Sequence, residues 1–229
     1  MSDVEAMYHQ VVVSKEQRSV LRFLWWADGV PDKQTEICQM TRNLFGGIWS
    51  ASASNYALKR IASYIAADFD SEAVKAVIRS FYVDDLLHSV ESKGRGIYVA
   101  HHIQDLLSKG GFTLNKWVSS SKKILESVPV ERRSKSVQNL DLDQGDLPIA
   151  RALSLVWHCD NNMFRVSAKQ KEAVLTSLGL LSYLSSVHDP VGFVCPFMLI
   201  AKLLFQHDTR LRMSWDAPFE PGHASWFLQ

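Results

Sequence analysis

The chain has 229 residues, 47% hydrophobic and 21% charged, which is globular and allows one large domain or two small ones. Lys plus Arg number 25 against 24 for Asp plus Glu, a net charge of +1, so any nucleic-acid surface has to be local rather than a global basic field. No apolar run reaches a membrane span, no stretch reads as a signal peptide, and Cys38, Cys159 and Cys195 lack zinc or Cys-x-x-Cys spacing, so they read as buried thiols of a reducing compartment.

Residues 3–13 run from Asp3 through Tyr8 into valines, and a polar break at 14–18 follows. Bulky residues 20–26 predict a strand, 28–32 carry turn chemistry, and 36–41 alternate again, so 20–41 reads as a hairpin with a long loop. Gly46 and Gly47 allow a sharp bend before a helix over 49–66, whose Ala51, Ala53, Tyr56, Ala57, Leu58, Ile61, Ile65 and Ala66 have helical spacing. Residues 72–79 read as a shorter helix or a helix-to-strand approach. Residues 91–109 predict another, ended by Gly110 and Gly111; the adjacent His101 and His102 cannot share a helix face and read as surface. Residues 112–118 look strand-like, whereas 119–123 and 129–147 look loop-rich, with an acidic patch at Asp141, Asp143 and Asp146. Residues 152–159 and 163–166 flank a turn at 160–162. Helices follow over 172–187 and 196–207, separated by a break at 188–192. Hairpins and helices without a βαβ rhythm predict an α+β fold, divided into 1–150 and 151–229.

Between the helices at 72–79 and 91–109 lies FYVDDLLHSV, an apolar run cut by Asp84 and Asp85. It reads as strand, tight turn, strand. Two carboxylates between Tyr82, Val83 and Leu86 repel each other and lose hydration, and a divalent cation is the natural counter-charge; Mg²⁺ favours one or two carboxylates plus substrate phosphates.

Five motifs occur in order: Asp3 with Tyr8 five residues on, Phe45-Gly46 before a small-residue helix, Tyr-Val-Asp-Asp at 82–85, Gly-Phe-x-x-Asn-Lys at 111–116, and ALSLVWHC at 152–159. Together with the wording of MTRNLFGG and SSVHDPVGFVCPFMLIAKLLFQ, this resembles the reverse transcriptase region of BEL/Pao-type LTR retrotransposons, from Asp3 to Trp215. The resemblance implies a polymerase palm, an antiparallel sheet with packed helices, then a primer-grip hairpin and a partial helical thumb or connection. It implies two Mg²⁺ ions (or Mn²⁺) held by Asp3, Asp84 and Asp85 with the main chain of Val4. Lys116 is placed near the leaving pyrophosphate. Tyr8 is the ring that excludes a ribose 2′-hydroxyl, and Phe45, Gly46 and Tyr82 lie against the nucleotide. Lys122, Lys123, Trp157 and Lys202, with Arg132, Arg133, Lys135, Arg210 and Arg212, are candidates for the nucleic-acid surface, although Trp157 reads more readily as core. Ser154 stands where the primer-grip motif has glycine.

The partners so implied are an RNA template, a DNA primer and deoxynucleoside triphosphates, with no membrane, in the cytoplasmic particle of a retroelement. The basic fingers before Asp3, RNase H, integrase and protease are expected to lie outside this chain, which reads as a piece of a longer polypeptide. Two other readings are a truncated, inactive retroelement fragment and a nucleic-acid-binding module recruited from one.

Overall fold

Asp3 is the centre of a three-residue strand around which the first half of the molecule is built. The computed structural model describes residues 1–138, 140, 142, 145–153, 155–166 and 175–219, and the chain divides into two units, Met1–Pro148 and Ile149–Gln229. Asp141, Asp143 and Ser154 fall outside the described residues.

In the first unit, β1 (Ser2–Val4) pairs antiparallel with β5 (Asp85–Leu86) on one side and β6 (Leu114–Asn115) on the other, and β4 (Phe81–Tyr82) completes the sheet in the order β4-β5-β1-β6. Side chains alternate between the two faces of a strand. Ser2, Val4, Phe81, Leu86 and Leu114 therefore share the buried face, whereas Asp3, Asp85 and Asn115 stand on the other, partly exposed.

The buried face rests on three helices. In α2 (Ser50–Tyr64) the buried residues are Ser50, Ser54, Leu58 and Ala62, a strict four-residue spacing down one side. Asp70 caps α3 (Ser71–Arg79) by accepting hydrogen bonds from the amides of Glu72 and Ala73, and Ser92 caps α4 (Lys93–Lys109) through the Arg95 amide. Val77 of α3 and Val99, Ile103, Leu106 and Leu107 of α4 join Leu58, Val4, Phe81, Leu86 and Leu114 in one core. Gly110 ends α4 where a β-carbon would run into the side chain of Ile61, so glycine there permits the close approach of α4 to α2. A four-residue helix, α1 (Met7–Gln10), follows β1 directly.

The expected 20–41 hairpin is β2 (Arg22–Trp26) against β3 (Thr35–Gln39), with all of β2 exposed. Three expectations need correction. Residues 112–118 make only the two-residue β6, because Lys116 takes a φ of 54° and turns the chain. The segment after Val118 is not all loop: α5 (Lys122–Glu126) buries Leu125 completely, and α6 (Lys135–Gln138) buries Val137. The cysteines are free, but only Cys159 is buried; Cys38 lies half-buried on the exposed hairpin, and Cys195 is exposed in the first turn of a helix.

In the second unit, β7 (Ile149–Ala152), β8 (Leu155–His158) and β9 (Met163–Arg165) form an antiparallel meander. The expected single strand over 152–159 is divided, because Leu153 has a φ of 49° and reverses the chain between β7 and β8. Two helices follow: α7 (Ser177–Ser186), capped by Thr176, and α8 (Cys195–Arg210), preceded by a turn in which the Asp189 carboxylate accepts from the Phe193 and Val194 amides at 3.0 and 2.7 Å.

Candidate active site

The sheet register sets one rung of side chains across the outer face: Tyr82 opposite Asp85, Asp85 opposite Asp3, and Asp3 opposite Asn115. Residues directly opposite on one face have β-carbons about 5 Å apart, where like charges destabilise. Asp84 sits beside the rung, in the two-residue turn joining β4 to β5, and its carbonyl accepts the Val4 amide at 2.9 Å. The Val4 side chain is 1% exposed, so only its backbone faces the site. The turn requires Val83 at a φ of 55°. A β-branched residue is rarely found there, at a cost of about 1–2 kcal/mol. Ala6, at 46°, and Lys116, at 54°, are bent the same way, so three strained non-glycine residues surround the acids.

The electrostatics follow from the rung. Burial, then the Asp84 and Asp3 charges, push the Asp85 carboxyl above its usual range, with Lys116 opposing. Lys116 donates to Asp3 Oδ2 at 3.0 Å, and that hydrogen bond, helped by the charges of all three acids, raises its ammonium. Lys116 is thus the counter-charge the protein itself supplies. Among the described residues no group of three or more His, Cys, Asp or Glu side chains is gathered closely enough to hold a metal ion. The rung nevertheless suits a divalent cation: its donors are hard oxygens, and a half-buried carboxylate beside two others gains from added positive charge.

Tyr8 is half-buried, and its ring meets Phe45 edge-on at 4.5 Å; Phe45 is 66% exposed. Gly46 takes a φ of 91°, which any side chain would strain. A cavity of about 520 Å³ opens beside Asp3 and is lined by Glu5, Asn115, Lys116, Arg133 and Lys135 among others. Lys122 is half-buried and Lys123 exposed. Arg133 donates Nε to the Val128 carbonyl at 2.9 Å and Nη2 to that of Glu126 at 3.4 Å, so its fork is largely spent on its own loop. In the second unit Lys202, Arg210 and Arg212 are exposed, but Trp157 is 5% exposed, lies nearly parallel to the Phe164 ring at 5.8 Å and donates Nε1 to Asn162 Oδ1 at 3.0 Å. An indole so enclosed has no face for a base, and its surroundings fit the packing role. His102 needs a similar correction: it is half-buried against Tyr98, whereas His101 is exposed.

Sequence reasoning missed two positioning residues. Asn43, 2% exposed, donates to the Ser50 carbonyl and Ser54 Oγ, each at 3.0 Å, and accepts from the Leu44 amide at 3.1 Å, pinning the Phe45-Gly46 loop to α2. Asn115 donates to Glu5 Oε2 at 2.8 Å and closes the far end of the rung. An asparagine before a glycine-rich bend was the available signal for the first; the second is visible only once the register is known.

Residues 176–226 match the family described as Pao retrotransposon-like RNaseH-like domain. That relates the chain to Pao-type retrotransposons through under a quarter of its length, and leaves the acidic rung outside the matched segment. It also sets an RNase H-like description on a segment expected to be thumb-like, in a chain expected to lack RNase H. Its described residues, 176–219, hold α7, α8 and one bridge, Thr176 to Pro218. No curated protein matches the chain. Among the described residues no helix is long and apolar enough to cross a membrane.

Proposed function

We propose that the first unit is a polymerase palm of an RNA-directed DNA polymerase from a Pao-type element, and that Asp3, Asp84 and Asp85 hold Mg²⁺ where a primer end meets a deoxynucleotide. The observation that carries this reading is the rung Asp85–Asp3, with Asp84 in the adjoining turn and Lys116 3.0 Å from Asp3. Asp3 and Asp85 come from strands some eighty residues apart in sequence and meet on the one sheet face that the core leaves open. Bound divalent ions supply activation of the primer 3′-hydroxyl and neutralisation of the triphosphate.

The chain's own residues do the positioning. Val4 fixes the turn through the Asp84 carbonyl. Lys116, were cations to take its place at Asp3, would offer its ammonium to the leaving pyrophosphate. The edge contact with Phe45 holds the Tyr8 ring where it bars a 2′-hydroxyl, and Asn43 ties down the preceding residue, Leu44. Lys123 and Lys135 contribute phosphate contacts that carry no sequence preference.

The decisive experiment is primer extension on an RNA template with Mg²⁺, using this chain and a longer polypeptide that contains it. Asp84→Asn abolishes extension under this reading, and normal extension by that variant overturns it. A second reading, a nucleic-acid-binding remnant without catalysis, draws on the Asp3–Lys116 ion pair, which satisfies an acid without any metal. Salt-sensitive binding of an RNA–DNA hybrid with no extension by either polypeptide selects it.

A further inference from the structure

The hairpin that carries the acidic turn is too short to hold its own register. β4 and β5 contribute two residues each, and an isolated two-stranded hairpin is marginal even when longer. The turn is further burdened by Val83 in the left-handed region. What fixes Asp84 and Asp85 must therefore come from outside the two strands.

Part of the answer is backbone: the Val4 amide on the Asp84 carbonyl at 2.9 Å, and the Leu87 amide on the Ser80 carbonyl at 3.0 Å, which closes the hairpin's open end. The rest is a side-chain strut. His88 Nδ1 lies 3.0 Å from Ser80 Oγ, doubling the closure made by the backbone. Its other ring nitrogen, Nε2, is buried without a hydrogen-bond partner and lies 3.6 Å from Glu72 Oε1 of α3. Glu72 is itself held, since Oε2 accepts Arg95 Nε at 2.5 Å, and Arg95 Nη2 donates to Asp70 Oδ1 at 2.6 Å. Arg95 also lies 5.1 Å from the centre of the Tyr98 ring, which lies against His102 with ring centres 4.1 Å apart. Asp70, Glu72, Arg95 and Tyr98 thus clamp the start of α3 to α4. His88 touches the hairpin base with one nitrogen and faces this clamp with the other.

We infer that His88 is a positioning residue for the acidic turn, transmitting the rigidity of the α3–α4 ion cluster through Ser80 to the register of Asp84 and Asp85. Nothing in the core requires an imidazole at this place. A side chain that only filled space would be apolar, and here a polar ring bonds Ser80 at the base of the hairpin and faces Glu72 near the start of α3. The consequence for metal binding rests on the polymerase reading; the mechanical role does not.

The test is amide hydrogen exchange with Mn²⁺ titration on the 229-residue chain and its variants. In His88→Ala the Val4 and Leu87 amides exchange roughly five- to tenfold faster, the factor expected when one hydrogen bond stops supporting them. The Leu106 amide in the core does not change, and Mn²⁺ binds more weakly. His88→Asn, which keeps a group at the Nδ1 position but none facing Glu72, restores slow exchange and Mn²⁺ affinity only in part, whereas Ser80→Ala reproduces the His88→Ala pattern. Unchanged exchange at Val4 and Leu87, equal acceleration at Leu106, or complete rescue by asparagine overturns the inference. If the local exchange pattern appears but the wild-type chain neither binds Mn²⁺ nor extends a primer, the strut stands and the polymerase reading falls.

Discussion

Replacing Asp85 by asparagine separates a site built to hold cations from one that merely carries surface acids. Asp85 is directly opposite Asp3 and next to Asp84, its carboxyl is raised chiefly by burial and then by those two charges, and among the described residues no hydrogen bond ties its side chain to the protein in return. Two unit charges about 6 Å apart repel by about 3 kcal/mol at an effective dielectric constant near 20. Partial exposure and the Lys116 ammonium reduce this to about 1 kcal/mol. The nearly isosteric amide removes that repulsion, so Asp85→Asn is more stable than the wild type in EDTA, by about 2–4 °C for a chain of this size. The sign also fixes a pH dependence. A carboxyl whose pKa is higher folded than unfolded binds more protons in the native state between those two values, so wild-type stability falls as pH rises through that window. Asp85→Asn flattens that slope. Metal removes most of that difference: with 10 mM Mg²⁺ and a dissociation constant of about 1 mM, the wild type gains about 1.4 kcal/mol and the variant less than half as much. Thermal unfolding followed by circular dichroism across pH, with and without Mg²⁺, measures all three. A variant less stable than wild type in EDTA, or one with an undiminished Mg²⁺ shift, refutes the reasoning.

Gly110→Ala forces a β-carbon into Ile61 at the junction of α4 and α2, and urea denaturation should show a loss of about 1–3 kcal/mol. The Asp70 carboxyl is held below its usual range, first by the Arg95 hydrogen bond, so its contribution is present above the unfolded value and lost as pH falls through the lower folded one. In Asp70→Asn the acid limb of the stability–pH curve becomes shallower; an unchanged limb would remove Arg95 from that role. Burial raises the Cys159 thiol to about 11, whereas Cys195 is exposed. A disulfide reagent at pH 8 should therefore label Cys195 rapidly and Cys159 only on unfolding, as read by mass spectrometry of the native chain.

How far the sequence carried depended on how local each signal was. Helices α2, α3 and α4 were legible because each places its apolar residues at helical spacing over two turns or more, and the β2–β3 hairpin because bulky residues flank turn chemistry. Short elements escaped. Strand β7, Ile149–Ala152, contains an arginine and only four residues, and it becomes a strand through pairing with β8 rather than by its own composition. Helix α5 hides behind a run of serines and lysines, and the completely buried Leu125 shows that tertiary packing holds it. Of the site, the acids, Tyr8 and Phe45 announce themselves as a motif. Asn43, Asn115 and His88 do not, because each works through a partner at least seven residues away whose proximity only the folded chain creates.

One alternation sets both the core and the rung. β1 buries Ser2 and Val4, so Asp3 must face outward; β5 buries Leu86, so Asp85 must; β6 buries Leu114, so Asn115 must. A slip of one residue in any of these strands would turn an acid or an amide into the face that meets α2, α3 and α4, at a cost of several kcal/mol for an unpaired buried charge. The hydrophobic residues therefore select the register, and the register brings together carboxylates that would otherwise separate. The repulsion that results is tolerable because Leu58, Ile103, Leu106 and Leu107, all at 2% exposure or less, anchor the opposite face. Stability supplied by the core is stored on the outer face as an excess of negative charge, which Lys116 relieves in part and a divalent cation would relieve further.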